Sequence, residues 1–258
     1  AAVTPIAELL ARAEPLDACV RVAVQEGGLQ GRTAYGGLSS ALALHAAQLR
    51  EADLPPLRSA QVAFAGPLAG PVTVTARTLR RGRNAAFVEA SIASDAGLGL
   101  SAAFVFMRDV ASTISYDVAA PSAHRPPPAD ASLYVGKPEY FTHNFEFFDL
   151  KEAAGEAEWL RWVRLRARDG LDSEVELMAI GDALPPAALK LIGGPAPVSS
   201  LTWQMNLLHP RPATRDGWWL LHARTERAVG GASSQRMTIW NSDGVAVGAA
   251  MQAVAIFA

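Results

Sequence analysis

The feature that most constrains this chain is that it repeats itself. Ala76-Arg77-Thr78 recurs as Ala223-Arg224-Thr225. The run from Ser94-Asp95 to Ala103-Phe104 recurs from Ser242-Asp243 to Ala250-Met251. Both recurrences lie about 147 residues apart, the second with one residue deleted at its turn. Two matches in the same order at nearly one spacing point to an internal duplication. Between the copies lies Pro121-Ser-Ala-His-Arg-Pro-Pro-Pro128, whose proline run favours extended, non-packing backbone. The chain therefore divides into a module over residues 1–120, a Pro-rich linker over 121–135 and a second module over 136–258.

Each module reads as a helix followed by hairpin-connected strands. In the first, residues 36–52 carry Leu38, Leu42 and Leu49 among alanines, a broad apolar helical face. Strands are expected near 59–65, 72–80, 85–94 and 98–107, with Asp95-Ala-Gly97 as a hairpin turn. In the second, strands are expected at 159–168 and 174–181. A short helix follows at 185–192, ended by Gly193-Gly194. Strands near 201–208, 217–227, 234–241 and 245–257 complete it, with Asn241-Ser-Asp-Gly244 as the matching turn. Strands joined by tight turns pair antiparallel, and a wide apolar helix face must be buried against them. The class is α+β.

Composition removes several functions. Half of the 258 residues are hydrophobic and 19% are charged, enough for a packed core. A net charge of -2 speaks against nucleic acid as the main partner. The single cysteine, Cys19, cannot close an internal disulfide, and the five histidines form no metal-binding pair, so neither a metal nor a disulfide is expected. One free thiol fits a reducing, cytoplasmic setting. Glu8, Arg12, Glu14 and Asp17 interrupt any leader-like apolar run, and no stretch reads as a membrane span. There is no GxGxxG or GxxxxGK[ST] phosphate loop and no GxSxG nucleophile elbow.

Four positions stand out chemically. Asp182, ahead of Pro185-Pro186, is expected close to a helix N-terminus, whose dipole favours an ionised carboxylate; capping or loop structure is the competing role. Gln252 sits in a strand apolar on both faces, hence central, and a buried amide there needs partners. The duplication sets Val105 at its counterpart, so the fold itself does not demand an amide. Ser200, Thr202, Gln204 and Asn206 alternate with apolar residues, the pattern also of any half-exposed strand. Gly36-Gly37 opens the long helix, where a ligand can approach the backbone closely and free N–H groups can hold an anion.

Taken together, these segments resemble the TesB-type acyl-CoA thioesterases. The likeness rests on Tyr35-Gly36-Gly37 entering an Ala-rich helix, Val62-Ala-Phe64-Ala-Gly-Pro67, and Leu79-Arg80-Arg81-Gly82-Arg83. It continues through Gly181-Asp182 before a proline, Ser199-Ser200 entering a strand, and Ser242-Asp-Gly244 leading to Met251-Gln252. The resemblance implies a double hotdog, two helix-plus-antiparallel-sheet modules sharing one curved sheet. It also implies an acyl-CoA substrate and no cofactor. An Asp, a Ser or Thr and a Gln would position and activate a water, roles that fall here on Asp182, Ser200 and Gln252, with Thr202 as the alternative hydroxyl. Amides near Gly36 and Gly37, or near residues 183–184, would receive the oxyanion. Tyr35 would stand where the first module should repeat Asp182, so one catalytic centre per chain is expected. A non-catalytic acyl-CoA-binding or regulatory protein and an enoyl-CoA hydratase are the competing readings, and a homodimer or higher homo-oligomer is expected.

Overall fold

A computed structural model describes residues 4–16 and 19–258; Asp17 lies outside them. Helix α1 (Ile6–Ala11) precedes β1 (Glu14–Leu16), β2 (Cys19–Val24) and a small hairpin of β3 (Leu29–Gln30) and β4 (Thr33–Ala34). Helix α2 (Gly36–Arg50) follows, then β5 (Leu57–Phe64), β6 (Gly70–Arg81), β7 (Ala85–Ser94) and β8 (Gly97–Met107). Residues 108–133 contain neither helix nor strand and span the Pro-rich stretch. The second half supplies β9 (Tyr134–Val135), β10 (Phe145–Asp149), β11 (Glu158–Leu165) and helix α3 (Ser173–Gly181). A 3-10 turn at Ala187–Leu191 leads to β12 (Val198–Leu207), β13 (Trp219–Val229), β14 (Ala232–Trp240) and β15 (Ala246–Ile256).

The large sheet runs β1-β2-β6-β7-β8-β5-β12-β15-β14-β13-β11-β10-β9. Its order reads the same from both sides of the β5–β12 junction: β5, β8, β7, β6, β2 one way and β12, β15, β14, β13, β11 the other. Because β5 and β12 pair antiparallel, with Gln61 opposite Gln204, the halves are related by a pseudo-two-fold axis at that junction. The repeats occupy equivalent places, since Ala76 pairs with Ala90 and Ala223 with Met237, each 147 residues on. Both halves are α+β and the whole is a double hotdog.

The register corrects one counterpart. Val88 faces Phe104 in the β7–β8 hairpin, and Gln235 faces Gln252 in the β14–β15 hairpin. The equivalent of Gln252 is therefore Phe104, not Val105. The turn of the second hairpin is one residue longer than that of the first, not shorter as the sequence alignment had it, so the spacing grows from 147 to 148 residues across it.

Residues 174–181, expected as a strand, form α3. Val175 and the run Leu177 to Gly181 are all buried. A helix packed on every side shows no amphipathic period and reads like a buried strand. Its start is specified locally: Asp172 accepts hydrogen bonds from the N–H groups of Glu174 (3.0 Å) and Val175 (3.1 Å), an N-cap. The Glu174 carboxylate, 2% exposed, accepts the Leu57 N–H at 2.6 Å and ties this turn to β5.

Helices α2 and α3 pack against each other, with α2 also against β6, β7 and β8. Their approach needs small residues, since a Cβ on Gly37 would strike the Ala179 carbonyl. Trp203, 1% exposed, props the end of α3, and a Cβ on Gly181 would strike its ring. Removing that indole leaves a cavity under α3. Trp203→Ala is expected to destabilise the fold by about 3–5 kcal/mol in urea unfolding; a loss under about 1 kcal/mol contradicts this support.

Candidate active site

Where α3 ends, the N-terminus of α2 begins beside it. Asp182 is the C-cap residue of α3 (φ -112°, ψ 23°), so the expectation that it lies close to a helix N-terminus of its own segment is corrected. The nearest such end is supplied by the other half: a Cβ on Gly36 would collide with the Asp182 carboxylate, and the Gly37 amide hydrogen-bonds to it. Two dipoles therefore act on one carboxylate, the negative end of α3 and the positive end of α2. Burial outweighs the favourable terms. With Asp182 8% exposed, desolvation pushes its pKa up to about 7, against the hydrogen bonds from Gln252 and Gly37 that lower it.

Gln252 reaches this carboxylate from the sheet floor. Its strand lies between β12 and β14, as the apolar faces predicted. Its Nε2 donates to Asp182 Oδ1 at 3.0 Å and to Ser200 Oγ at 3.4 Å. Its Oε1 accepts from Gln235 Nε2 at 2.8 Å, and Gln235 Oε1 accepts the Ala187 N–H at 3.0 Å. The amide is thereby saturated and oriented: a flipped Gln252 would set an oxygen against the carboxylate. Gln235 was missed in the sequence. The signal was available, because 147 residues earlier the same position is Val88.

Ser200 enters the site through an irregularity. Plain alternation sets it on one face with Thr202, Gln204 and Asn206. The β12–β15 register instead shifts between Ser200 and Thr202, Ser200 pairing with Val254 and Thr202 with Ala253. This bulge at Leu201 turns Ser200 toward Gln252 and leaves Thr202 exposed on the outer face with Gln204 and Asn206. Of the two candidate hydroxyls, the structure brings Ser200 to Asp182 and Gln252, and not Thr202.

These groups line a cleft of about 260 Å³. Gly36, Ser39 and Phe64 come to it from the first half, and Asp182, Ser200 and Gln252 from the second. Gln30 and Thr33 of the small hairpin form part of its rim, while Leu184, Pro186 and Val198 make an apolar wall. The Leu38 and Ser39 N–H groups are spent on the Tyr35 carbonyl, and the Ala183 N–H on Ile180. The 183–184 segment thus has its first amide occupied, and the Gly37 amide serves Asp182. Tyr35 is buried, stacked on Phe141 at 4.3 Å between ring centroids, and burial holds its phenol well above its ordinary pKa. It is no acidic counterpart of Asp182.

No curated protein matches the chain. Among solved structures, a hot dog fold protein of unknown function from Alicyclobacillus acidocaldarius superposes with a TM-score of 0.84 at 20% identity, covering 99% of both chains. A TesB protein from Mycobacterium avium subspecies paratuberculosis gives 0.81 at 18%, covering 100% of both. Acyl-CoA thioesterase II TesB2 from Mycobacterium marinum gives 0.75 at 17%, over 98% of this chain and 96% of that one. At these identities the likeness is one of fold. Among the described residues, no helix is long and apolar enough to cross a membrane. The sequence itself matches the acyl-CoA thioesterase N-terminal domain over residues 25–107 and the C-terminal domain over residues 117–256. With both halves matched in order, the chain belongs to the acyl-CoA thioesterase family.

Proposed function

We propose that this chain hydrolyses acyl-CoA thioesters to free acid and CoA at one centre built from Asp182, Ser200 and Gln252. The observation that carries the reading is the convergence of these three side chains, far apart in sequence, on one cleft at a helix N-terminus. In its ionised form Asp182 is the general base that takes a proton from the attacking water. The Ser200 hydroxyl, which accepts from Gln252, has its own proton free to hold that water. Gln252 spends both N–H groups on Asp182 and Ser200, so it aims the base and the hydroxyl rather than the water. The Gly36 amide, in the first turn of α2, is the donor for the oxyanion that forms as water adds to the thioester carbonyl. Collapse of that intermediate expels the CoA thiolate, which leaves with the proton held by Asp182. No covalent enzyme intermediate is required.

Asp182 turned away from Gln252 would favour a binding-only protein; the hydrogen bond between them supports the hydrolytic reading. A hydratase of this fold would want an Asp/His pair, and no His is among the residues lining the cleft.

Asp182→Asn keeps the shape and removes the base. Thiol release from a panel of acyl-CoAs is expected to fall by roughly 10²–10⁴-fold, and full turnover by the variant refutes the role. The reaction needs the carboxylate, so kcat/KM of the native chain is expected to rise with pH and level off above about 7. An inflection near 4 would assign the base to an unburied group.

The same shift has a stability sign. A carboxyl whose pKa is raised on folding is neutral in the folded chain where it is charged in the unfolded one. Its penalty is absent below about 4, grows through the interval and is complete above about 7. Thermal unfolding of Asp182→Asn should therefore gain on the native chain between pH 5 and pH 8; a constant difference argues against a strained carboxylate. Gln235→Leu frees Gln252 to flip, and is expected to lower kcat about tenfold with KM little changed. Equal loss in both parameters would mark a general disturbance of the cleft instead.

A further inference from the structure

Beside the β13–β14 hairpin tip, the second half holds another cavity, of about 180 Å³. Ala188, Leu191, Ile192, Gly231, Ala232 and Ile256 are among its walls, and no lining side chain is charged. The hydroxyl of Ser233, the one polar side chain there, already donates to the Val254 carbonyl at 3.0 Å. Leu191 and Val229, also in the wall, are 50% and 61% exposed. Such a space offers a ligand apolar contact and no free side-chain hydrogen bond, so hydrocarbon is the chemistry it fits.

The first half lacks both features that make this cavity. The β6–β7 hairpin has Arg81-Gly82-Arg83-Asn84 where the β13–β14 hairpin, 147 residues on, has Ala228-Val229-Gly230-Gly231. The same turn is without charge only in the half that carries Asp182, Ser200 and Gln252. The connection into the central strand differs as well. Residues 51–56 lead from α2 to β5, but residues 182–197 lead from α3 to β12. The longer connection forms an arch, and its Leu189, Ile192 and Ala196 pack with Ala188 over Val254 and Ile256 of β15. The arch is tied at its ends by the Ala187 N–H to Gln235 Oε1 and by the Phe257 N–H to the Pro197 carbonyl, each 3.0 Å. Between them, Lys190 Nζ donates to the Glu158 carbonyl at 2.6 Å.

This arch stands between the cavity and the Asp182 cleft. Pro186 on the arch and Val198 at its foot line the cleft. Ala188, next but one to Pro186, and Ile256, the strand partner of Val198, line the cavity. The apolar cluster of Ala188, Val254 and Ile256 is what separates the two spaces. We propose, on the acyl-CoA reading of the cleft, that the cavity receives the far end of a long saturated acyl chain threaded beneath the arch. Leu189, Ile192 and Val198 are only half-buried and give way to it. Gly193 and Gly194, with open space around them, let the roof adjust. From Gln252 to Ile256 the floor strand runs about 13 Å, the span of roughly ten carbons in an extended chain. Shorter acyl groups end under the arch, and longer ones enter the cavity.

Isothermal titration of S-alkyl-CoA thioethers, which have no thioester to hydrolyse, tests the tail site apart from turnover. One methylene fully removed from water is worth about fourfold in affinity. The native chain is expected to gain roughly tenfold or more from hexyl to dodecyl, and roughly tenfold or more again from dodecyl to hexadecyl. Ala232 is exposed in the cavity wall, so Ala232→Trp fills the space without entering the core. It is expected to lower the hexadecyl-to-dodecyl affinity ratio to near one. Val229→Asp, which puts a charge on the same wall at an exposed position, should act in the same direction. Thioethers that bind the native chain with one affinity from dodecyl upward, or a hexadecyl preference unmoved by both substitutions, overturn the tail site and leave the reading of the cleft intact. Failure of every thioether to bind overturns both.

Discussion

A carboxylate with almost no solvent around it is the constraint on which the site depends. Asp182 is 8% exposed and lies at the negative end of its own helix. It is met by groups from elsewhere: the first turn of α2 from the other half and the Gln252 amide from the sheet floor. Removing it from water raises its pKa toward neutrality. The glycines at 36 and 37 belong to the same requirement, because any side chain there would push the two helix ends apart.

Duplication explains how one cleft is assembled from two similar halves. The pseudo-two-fold axis lays α2 and α3 against each other, so each half lends the other a helix end. The buried amide pair stands in one half only. Where the second half stacks Gln235 on Gln252, the first stacks Val88 on Phe104. Both first-half residues are fully buried and pack as ordinary core. The polar pair costs desolvation that the apolar pair avoids, and every hydrogen-bonding atom of Gln252 is engaged in return.

Much of this was legible in the sequence, and the failures have physical causes. The strand ladder, both hairpin turns and α2 follow from alternation, turn residues and an Ala-rich helical face. Helix α3 was misread because burial on all sides erases the helical period. Asp182 was therefore singled out but assigned to the wrong kind of helix end. The choice between Ser200 and Thr202 depended on a bulge at Leu201, which residue types alone do not encode. Gln235 was overlooked because an isolated glutamine in an alternating strand looks like surface; only the register shows it beneath Gln252. The linker carries no such information about the site; the irregular backbone runs from 108 to 133, beginning well before the prolines at 121 and 126–128.

The central claim is that burial, not a neighbouring charge, poises Asp182 near neutrality. Carbon-13 NMR titration of the Asp182 carboxyl, assigned by comparison with Asp182→Asn, measures this directly. The account predicts a midpoint near 7, moving higher in Gln252→Leu, where the hydrogen bond that lowers it is lost. A midpoint near 4, unmoved by that substitution, would contradict it.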